Sequence, residues 1–238
     1  MERTVEIWTR SHERPHRSLA NAEFLLGVLA LQRNELDEAL EHARAAAKIQ
    51  ASTLPERHVD RGETAQLLAV IHSVRGEYEL ALEQLHMTLT IWEPAYGIGN
   101  PQVQRARSDL AATQLALGQL EAARDGLTEL LPHVQGTMEQ VSVRLQLCEA
   151  AVRNGRLDAA DAELDVLDTL RLADFGAHEF SYALLRALVA LRRGDLQSAQ
   201  LERLHLARTT TSFTADQINS WFDQLALTPA ERATLQTD

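Results

Sequence analysis

An internal repeat constrains this chain more than any other feature. Three stretches align: LLGVLALQRNELDEALEHARAA from Leu25, LLAVIHSVRGEYELALEQLHMT from Leu67 and DLAATQLALGQLEAARDGLTEL from Asp109. Each carries an alanine at the same place, Ala39, Ala81 and Ala123, so the period is 42 residues. Two further copies begin at Gln146 and Leu185 and continue the series to Ala160 and Ala199, at spacings of 37 and 39. Periods of this size mark arrays in which one supersecondary unit cannot bury its apolar face alone and must stack on its neighbours.

Each copy has the same internal order. A first helical stretch ends at Asn34, Gly76, Gly118, Gly155 or Gly194, residue types suited to the left-handed position that terminates a helix. A second stretch follows and carries the alanine. Twelve residues before each alanine stands another small residue: Gly27, Ala69, Ala111, Cys148 and Ala187. Small residues on facing helices allow the two axes to approach within about 8–10 Å. Larger apolar residues flank them at helical spacing, as in Leu82, Leu85 and Leu89. The chain is thus expected to be all-α, a solenoid of antiparallel helix pairs.

The pattern resembles the tetratricopeptide repeat. The Leu-Gly pair of that family stands here as Leu26-Gly27, with Leu68-Ala69 and Leu110-Ala111 as variants, and its second-helix alanine is the five-membered series above. The 42-residue period exceeds the usual 34, and the extra length is expected in linkers such as EPAYGIGNPQVQ from Glu93. Period and linker are similar to the kinesin light chain subclass, also found in bacteria, where it often follows a serine/threonine kinase domain. The resemblance covers residues 17–208, with Arg186 standing where Leu is expected in the fifth copy. It implies a right-handed superhelical array with repeats at about 17–53, 60–95, 101–135, 138–170 and 177–208.

The two ends read differently. Glu6-Ile7-Trp8 resembles Thr90-Ile91-Trp92, so residues 1–16 look like the second helix of an incomplete preceding repeat plus a linker, as expected of a region taken from a longer protein. Residues 209–238 read as capping helices. Thr214 is an N-cap candidate, Ile218, Trp221, Phe222 and Leu225 share a face, and Thr228-Pro229-Ala230-Glu231 is a capping box with proline at the first helical position.

Charge and composition narrow the partners. The net charge is −11 and no Lys/Arg-rich run occurs, which argues against nucleic acid, whose binders neutralise phosphates with a basic patch. A basic or mixed-charge polypeptide suits the field of the chain better. No apolar run approaches the ~20 residues that span a bilayer, and MERTVEIWTR has no apolar signal region. A single cysteine, Cys148, excludes an internal disulfide and fits a reducing, cytoplasmic setting. Lys48 is the only lysine, a usage that suggests a GC-rich, bacterial genome.

Catalytic motifs are weighed and set aside. His12-Glu13-Arg14-Pro15-His16 matches the H-E-x-x-H zinc pattern, but that chemistry needs both histidines on one helical face, and Pro15 disfavours the helix. Cys148 occupies a packing position and is expected to be inert. No phosphate loop, nucleophile elbow or kinase motif occurs. No catalytic residue, metal or cofactor is expected.

What the resemblance implies for function is a concave groove lined by the first helices. The repeat register assigns to it Asn21, Phe24, Val28 and Leu31; then Glu63, Gln66, Val70 and Ser73; then Arg105, Ser108, Ala112 and Leu115. The fourth copy contributes Ser142, Leu145, Glu149 and Val152, and the fifth Ser181, Leu184, Leu188 and Leu191. The Lys/Asn clamp by which chaperone-binding relatives hold a peptide carboxylate is missing, with Phe24, Val28 and Leu67 in the register where polar groups are needed. The expectation is a non-catalytic scaffold that binds a peptide or protein segment with apolar anchors. The alternative is the regulatory region of a larger bacterial signalling protein, a serine/threonine kinase or a transcriptional regulator.

Overall fold

A computed structural model describes residues 17–170, 177–195, 197–202, 219, 222–223 and 225–235. Every regular element among them is helical: α1 (Arg17–Gln32), α2 (Leu36–Thr53), α3 (Val59–Val74), α4 (Tyr78–Tyr96), α5 (Pro101–Ala116), α6 (Leu120–Leu130), α7 (Thr137–Arg153), α8 (Leu157–Asp168), α9 (Ala177–Arg193) and α10 (Pro229–Leu235). A single 3-10 turn, Leu131–His133, follows α6. Residues 197–202 are also helical.

The turns within the helix pairs share one backbone solution. Asn34, Gly76, Gly118, Gly155 and Gly194 adopt φ of 61, 74, 73, 71 and 79°. Around Asn34, Glu35 N donates to Ala30 O and Asn34 N to Leu31 O, both at 2.9 Å, and the same two bonds recur at the other four turns. This is the Schellman pattern, which satisfies carbonyls that the helix end would leave unpaired.

The chain divides into two compact units, Met1–Thr113 and Gln114–Asp238, with the division inside α5. In the first, α1 packs on α2, α2 on α3, α3 on α4 and α1 on α3. In the second, α6 packs on α7, α7 on α8, α9 on both α7 and α8, and α10 on α9. Small residues set the approach of paired helices. A Cβ on Gly27 would meet the backbone of Ala39 and Ala43 of α2 at 3.3 Å. The Cys148 thiol on α7 lies 3.7 Å from the carbonyl of Ala160 on α8. These are two of the positions twelve residues apart in the repeat.

The first unit has a core of Ala30, Ala39, Leu40, Ala43, Leu67, Leu68 and Ile71, and another around Trp92 with Leu89, Ile91, Val103 and Ala106. The Trp92 indole donates to Val59 O at 3.4 Å and lies against Gly62, where no side chain fits. The second unit holds a larger cluster that includes Leu145, Leu164, Phe180, Leu184 and Leu188 and also takes in Phe222, Leu225, Leu227 and Leu235.

One boundary departs from the sequence reading. Glu93–Tyr96 is helix rather than linker, and α4 closes only at Gly97 (φ 76°) through Gly97 N to Glu93 O at 2.9 Å. Pro94 in the last turn removes only the amide that would reach Thr90 O, and the helix is worth extending because Tyr96 stacks obliquely on buried Trp92, ring centroids 6.3 Å apart. The true linker is residues 97–100, after which the Asn100 side chain caps Gln102 N at 2.8 Å with Pro101 as first helical residue. Part of the length beyond a 34-residue repeat therefore lies in helix rather than linker, in second helices of 18 residues (α2) and 19 (α4).

At the C-terminal end, the capping box is formed. Thr228 Oγ1 accepts from Glu231 N at 3.2 Å, and Glu231 Oε2 accepts from Thr228 N at 2.8 Å. Thr214, Ile218 and Trp221 lie outside the described residues, as do residues 1–16 with Ile7, Trp8 and the His12–His16 motif.

Candidate functional site

The first helices of the pairs carry the residues that the repeat register singles out. In the first unit, Phe24, Val28 and Leu31 on α1 are half-buried and pack against the cluster containing Leu67, Leu68 and Ile71 of α3; Asn21 is exposed. On α3, Glu63, Gln66, Val70 and Ser73 are all half-buried. On α5, Arg105 is exposed and Ser108 and Ala112 are half-buried.

Two polar rungs tie these helices. Arg17 of α1 donates to Asp60 Oδ2 of α3 through Nη2 at 2.8 Å and Nε at 3.1 Å. Gln66 Nε2 of α3 donates to Asp109 Oδ2 of α5 at 2.7 Å. Burial pushes the Asp109 carboxyl pKa up, opposed by the Gln66 bond and by the Arg105 charge. Glu63 is also pushed up, first by burial and then by neighbouring Asp60, with His58 opposing. The Gln66 Oε1 atom is buried without a partner. Asp109 was not singled out by the register, although it stands next to Ser108 at the start of the third aligned stretch.

The second unit presents a different surface. Ser142, Leu145, Gln146 and Glu149 of α7 face His178, Ser181, Leu184 and Leu185 of α9 across a cavity of about 180 Å³, with Leu225 as a further wall. Leu145 and Glu149 are thus brought together with Ser142, Ser181 and Leu184, all assigned to the groove by register. Glu149 is buried and paired with Arg153 at 3.1 Å. Burial pushes the His178 imidazole pKa down, which keeps the ring neutral at pH 7. His178 continues the stripe of Ser181 one turn earlier and was legible by extension. Leu225 lies outside every repeat; helical periodicity placed it on the apolar face of a capping helix, but nothing in the repeat register assigned it to this cavity.

The remaining chemistry-bearing residues are structural. Cys148 is fully buried, and its thiol is pushed far above the ordinary range by burial first and then by Glu163, Asp161 and Glu149, so it is a poor nucleophile. A hydrogen bond of 2.6 Å joins buried His72 to Glu77, locking the start of α4 to the end of α3. Among the described residues no three His, Cys, Asp or Glu side chains are placed to hold a metal ion, and no helix is long and apolar enough to cross a membrane.

Comparison with known proteins bears on the repeat. Residues 61–133 match the family model described as tetratricopeptide repeat. Within that segment the chain carries tetratricopeptide repeats. Solved structures agree in fold. One is a kinesin light chain with nearly identical TPR-like repeats from Podosopora anserina, at 20% identity and a TM-score of 0.68, covering 83% of this chain and 97% of that one. Another is the apo form of RapI, at 11% identity and a TM-score of 0.74, covering 91% and 80%. A third is a Rap protein complexed with Competence and Sporulation Factor, at 12% identity and a TM-score of 0.63, covering 84% and 56%. At such identities the likeness is one of fold. No curated protein sequence matches the chain. The matched repeat segment contains the Gln66–Asp109 rung of the first unit, whereas the Arg17–Asp60 rung and the cavity between α7 and α9 lie outside it.

Proposed function

We propose that this tetratricopeptide-repeat chain is a non-catalytic scaffold that binds a peptide or protein segment on the inner faces of its first helices. The observation that carries this reading is the repeat itself: helix pairs each of which presents one face of its first helix. The Rap protein of the same fold was solved with Competence and Sporulation Factor bound, which supports a protein partner for a module of this kind. The residues assigned to contact are Asn21, Phe24, Val28 and Leu31, Glu63, Gln66, Val70 and Ser73, Arg105, Ser108 and Ala112, and in the second unit Leu145 and Glu149. On this reading the module works in a bacterial cytoplasm and takes neither nucleic acid nor a membrane as partner. Within a larger signalling protein it would be the regulatory region of a serine/threonine kinase or a transcriptional regulator.

The test uses peptides selected from a displayed random library on the wild-type chain. The double variant Phe24→Ala, Val70→Glu is expected to weaken the selected peptides at least about tenfold, about 1.4 kcal/mol, while far-UV circular dichroism stays unchanged. Met87→Glu on the exposed face of α4 is expected to leave affinity intact. Equal losses in both variants, or none in either, would remove the inner faces as the binding surface.

A further inference from the structure

The cavity of the second unit is lined by two helices of the repeats and by one residue from outside them. Leu145 of α7 and Leu184 and Leu185 of α9 form its apolar lining, and Leu225 closes it. The segment that carries Leu225 is anchored independently of that side chain. Phe222, Leu227 and Leu235 are 2, 6 and 2% exposed in the same core cluster. Arg192 of α9 donates to Val152 O of α7 at 2.7 Å and to Glu231 Oε1 of α10 at 2.8 Å, so one guanidinium ties both cavity helices to the C-terminal helix. The turn between them is a Schellman turn with Ala226 in the left-handed region at φ 52°. Leu225 is thereby held in the cavity wall rather than at a loose end.

We infer that this segment completes an apolar subsite, in which Leu225 sets the size of a cavity that accepts one leucine- or phenylalanine-sized side chain of a bound polypeptide bearing basic residues beside that anchor. The inference rests on the scaffold reading above and names the chemistry of its ligand. Size argues for a single side chain: a protein cavity of about 150 Å³ accommodates benzene, and this partly open one measures about 180 Å³. Whole small-molecule sites run to about 300–1,000 Å³. Charge argues for an uncharged anchor. The rim from α9 offers a serine and a neutral imidazole, Ser181 and His178, and Glu149 at the edge is neutralised by Arg153. An acidic side chain buried there would lie against the Glu149 carboxylate and lose its hydration, and a basic one would have to share Glu149 with Arg153. The flanks are set by the chain as a whole, whose net charge of −11 attracts basic neighbours and repels acidic ones.

Three capped tripeptides separate these elements: acetyl-Arg-Phe-Arg-amide, acetyl-Glu-Phe-Glu-amide and acetyl-Arg-Ser-Arg-amide. Each is titrated into the full chain while the leucine methyl resonances of residues 145, 184, 185 and 225 are followed. The first is expected to give saturable shifts at these methyls, the second the same shifts with several-fold weaker affinity, and the third none that saturate. Leu225→Trp fills the cavity and is expected to abolish the response. Ser142→Phe, placed on the opposite rim, does the same should Leu225→Trp fail to fold. No saturation by the Phe peptides, or undiminished saturation in a folded cavity-filling variant, would overturn the subsite. That result would leave the scaffold reading standing wherever Phe24→Ala, Val70→Glu still weakens library-selected peptides. Loss of the library effect with the methyl response intact would refute the scaffold reading alone.

Discussion

The first helices of the two units follow the same register and present different surfaces. In the first unit they are knitted together: Arg17–Asp60 joins α1 to α3, Gln66–Asp109 joins α3 to α5, and Phe24, Val28 and Leu31 sink into their neighbours. In the second unit α7 and α9 leave a cavity lined by leucines and polar side chains, and its last wall comes from the C-terminal segment. Register decides which face of a helix is presented. The residues on that face decide whether adjacent helices close on one another or leave room for a guest. In the first unit a polar rung between helices closes the face, with a buried carboxyl and an orphaned amide oxygen; in the second, Glu149 pairs with Arg153 on its own helix and space is left between α7 and α9.

Paired glycine substitutions test the comparison with the largest effect. Gly62 of α3 lies under Trp92, and a Cβ there would sit 2.5 Å from the indole Nε1. Gly62→Ala must displace the ring and its bond to Val59 O, a strain of about 1–3 kcal/mol that outweighs the ~1 kcal/mol gained in helix propensity. Gly126 of α6 in the second unit has nothing within 4 Å of a built Cβ. Gly126→Ala is therefore expected to stabilise by up to ~1 kcal/mol. Urea melts of the two variants should move in opposite directions. A neutral Gly62→Ala would mean that Trp92 does not seal the first unit in solution.

The next effect is pH-dependent and confined to the first unit. Because burial raises the Asp109 pKa above its ordinary 3.8, the folded chain holds that proton more tightly than the unfolded chain does. The resulting stability is complete below pH 3.8 and is lost as pH rises through the folded value. Asp109→Asn keeps an acceptor for Gln66 and cannot ionise. Its melting temperature relative to wild type is expected to climb between pH 4 and 7, read by calorimetry at several pH values. A constant offset would place Asp109 in water rather than between α3 and α5. No such trend is expected from Leu184→Ala in the second unit, where no carboxyl is removed.

The same contrast explains what was legible in the sequence. The helical fold and the five left-handed turns follow from local rules, a small residue at a fixed spacing and Gly or Asn where φ is positive, and those rules act within each repeat. The face assignments of Leu145, Glu149, Ser181 and Leu184 followed from periodicity for the same reason. Asp109 was missed, and Leu225 was read only as part of a capping-helix face, because each owes its role here to a partner that the repeat register does not supply. Asp109 matters through Gln66, 43 residues away, and Leu225 through a chain that returns to α7 and α9 after the repeats have ended. The extension of α4 through Pro94 was missed because the proline signalled a stop, while the Trp92–Tyr96 contact that outweighs it is tertiary.

The smallest expected effect lies in the turn that holds the cavity wall. Ala226 N bonds to Asp223 O at 3.0 Å and Leu227 N to Phe222 O at 3.2 Å, the same pair of bonds that ends the first helix of each repeat. The five repeat turns place Asn or Gly in the left-handed position, whereas this one places an alanine there at φ 52°. A left-handed residue with a Cβ costs roughly 1–2 kcal/mol. Glycine would relieve that cost but restore about 0.4–1 kcal/mol of chain entropy to the unfolded state. Ala226→Gly should therefore stabilise by a net ~0.5–1 kcal/mol, a rise of about 1–4 °C in melting temperature for a chain of this length. Gly76→Ala in the first unit, at φ 74° with open space around it, should lower the melting temperature, because it adds the strain that Ala226→Gly removes. The side chain of Ala226 is exposed, so its loss removes no packing. A fall on Ala226→Gly would thus mean that the C-terminal turn does not form in solution, and Leu225 would lose its place in the cavity wall with it.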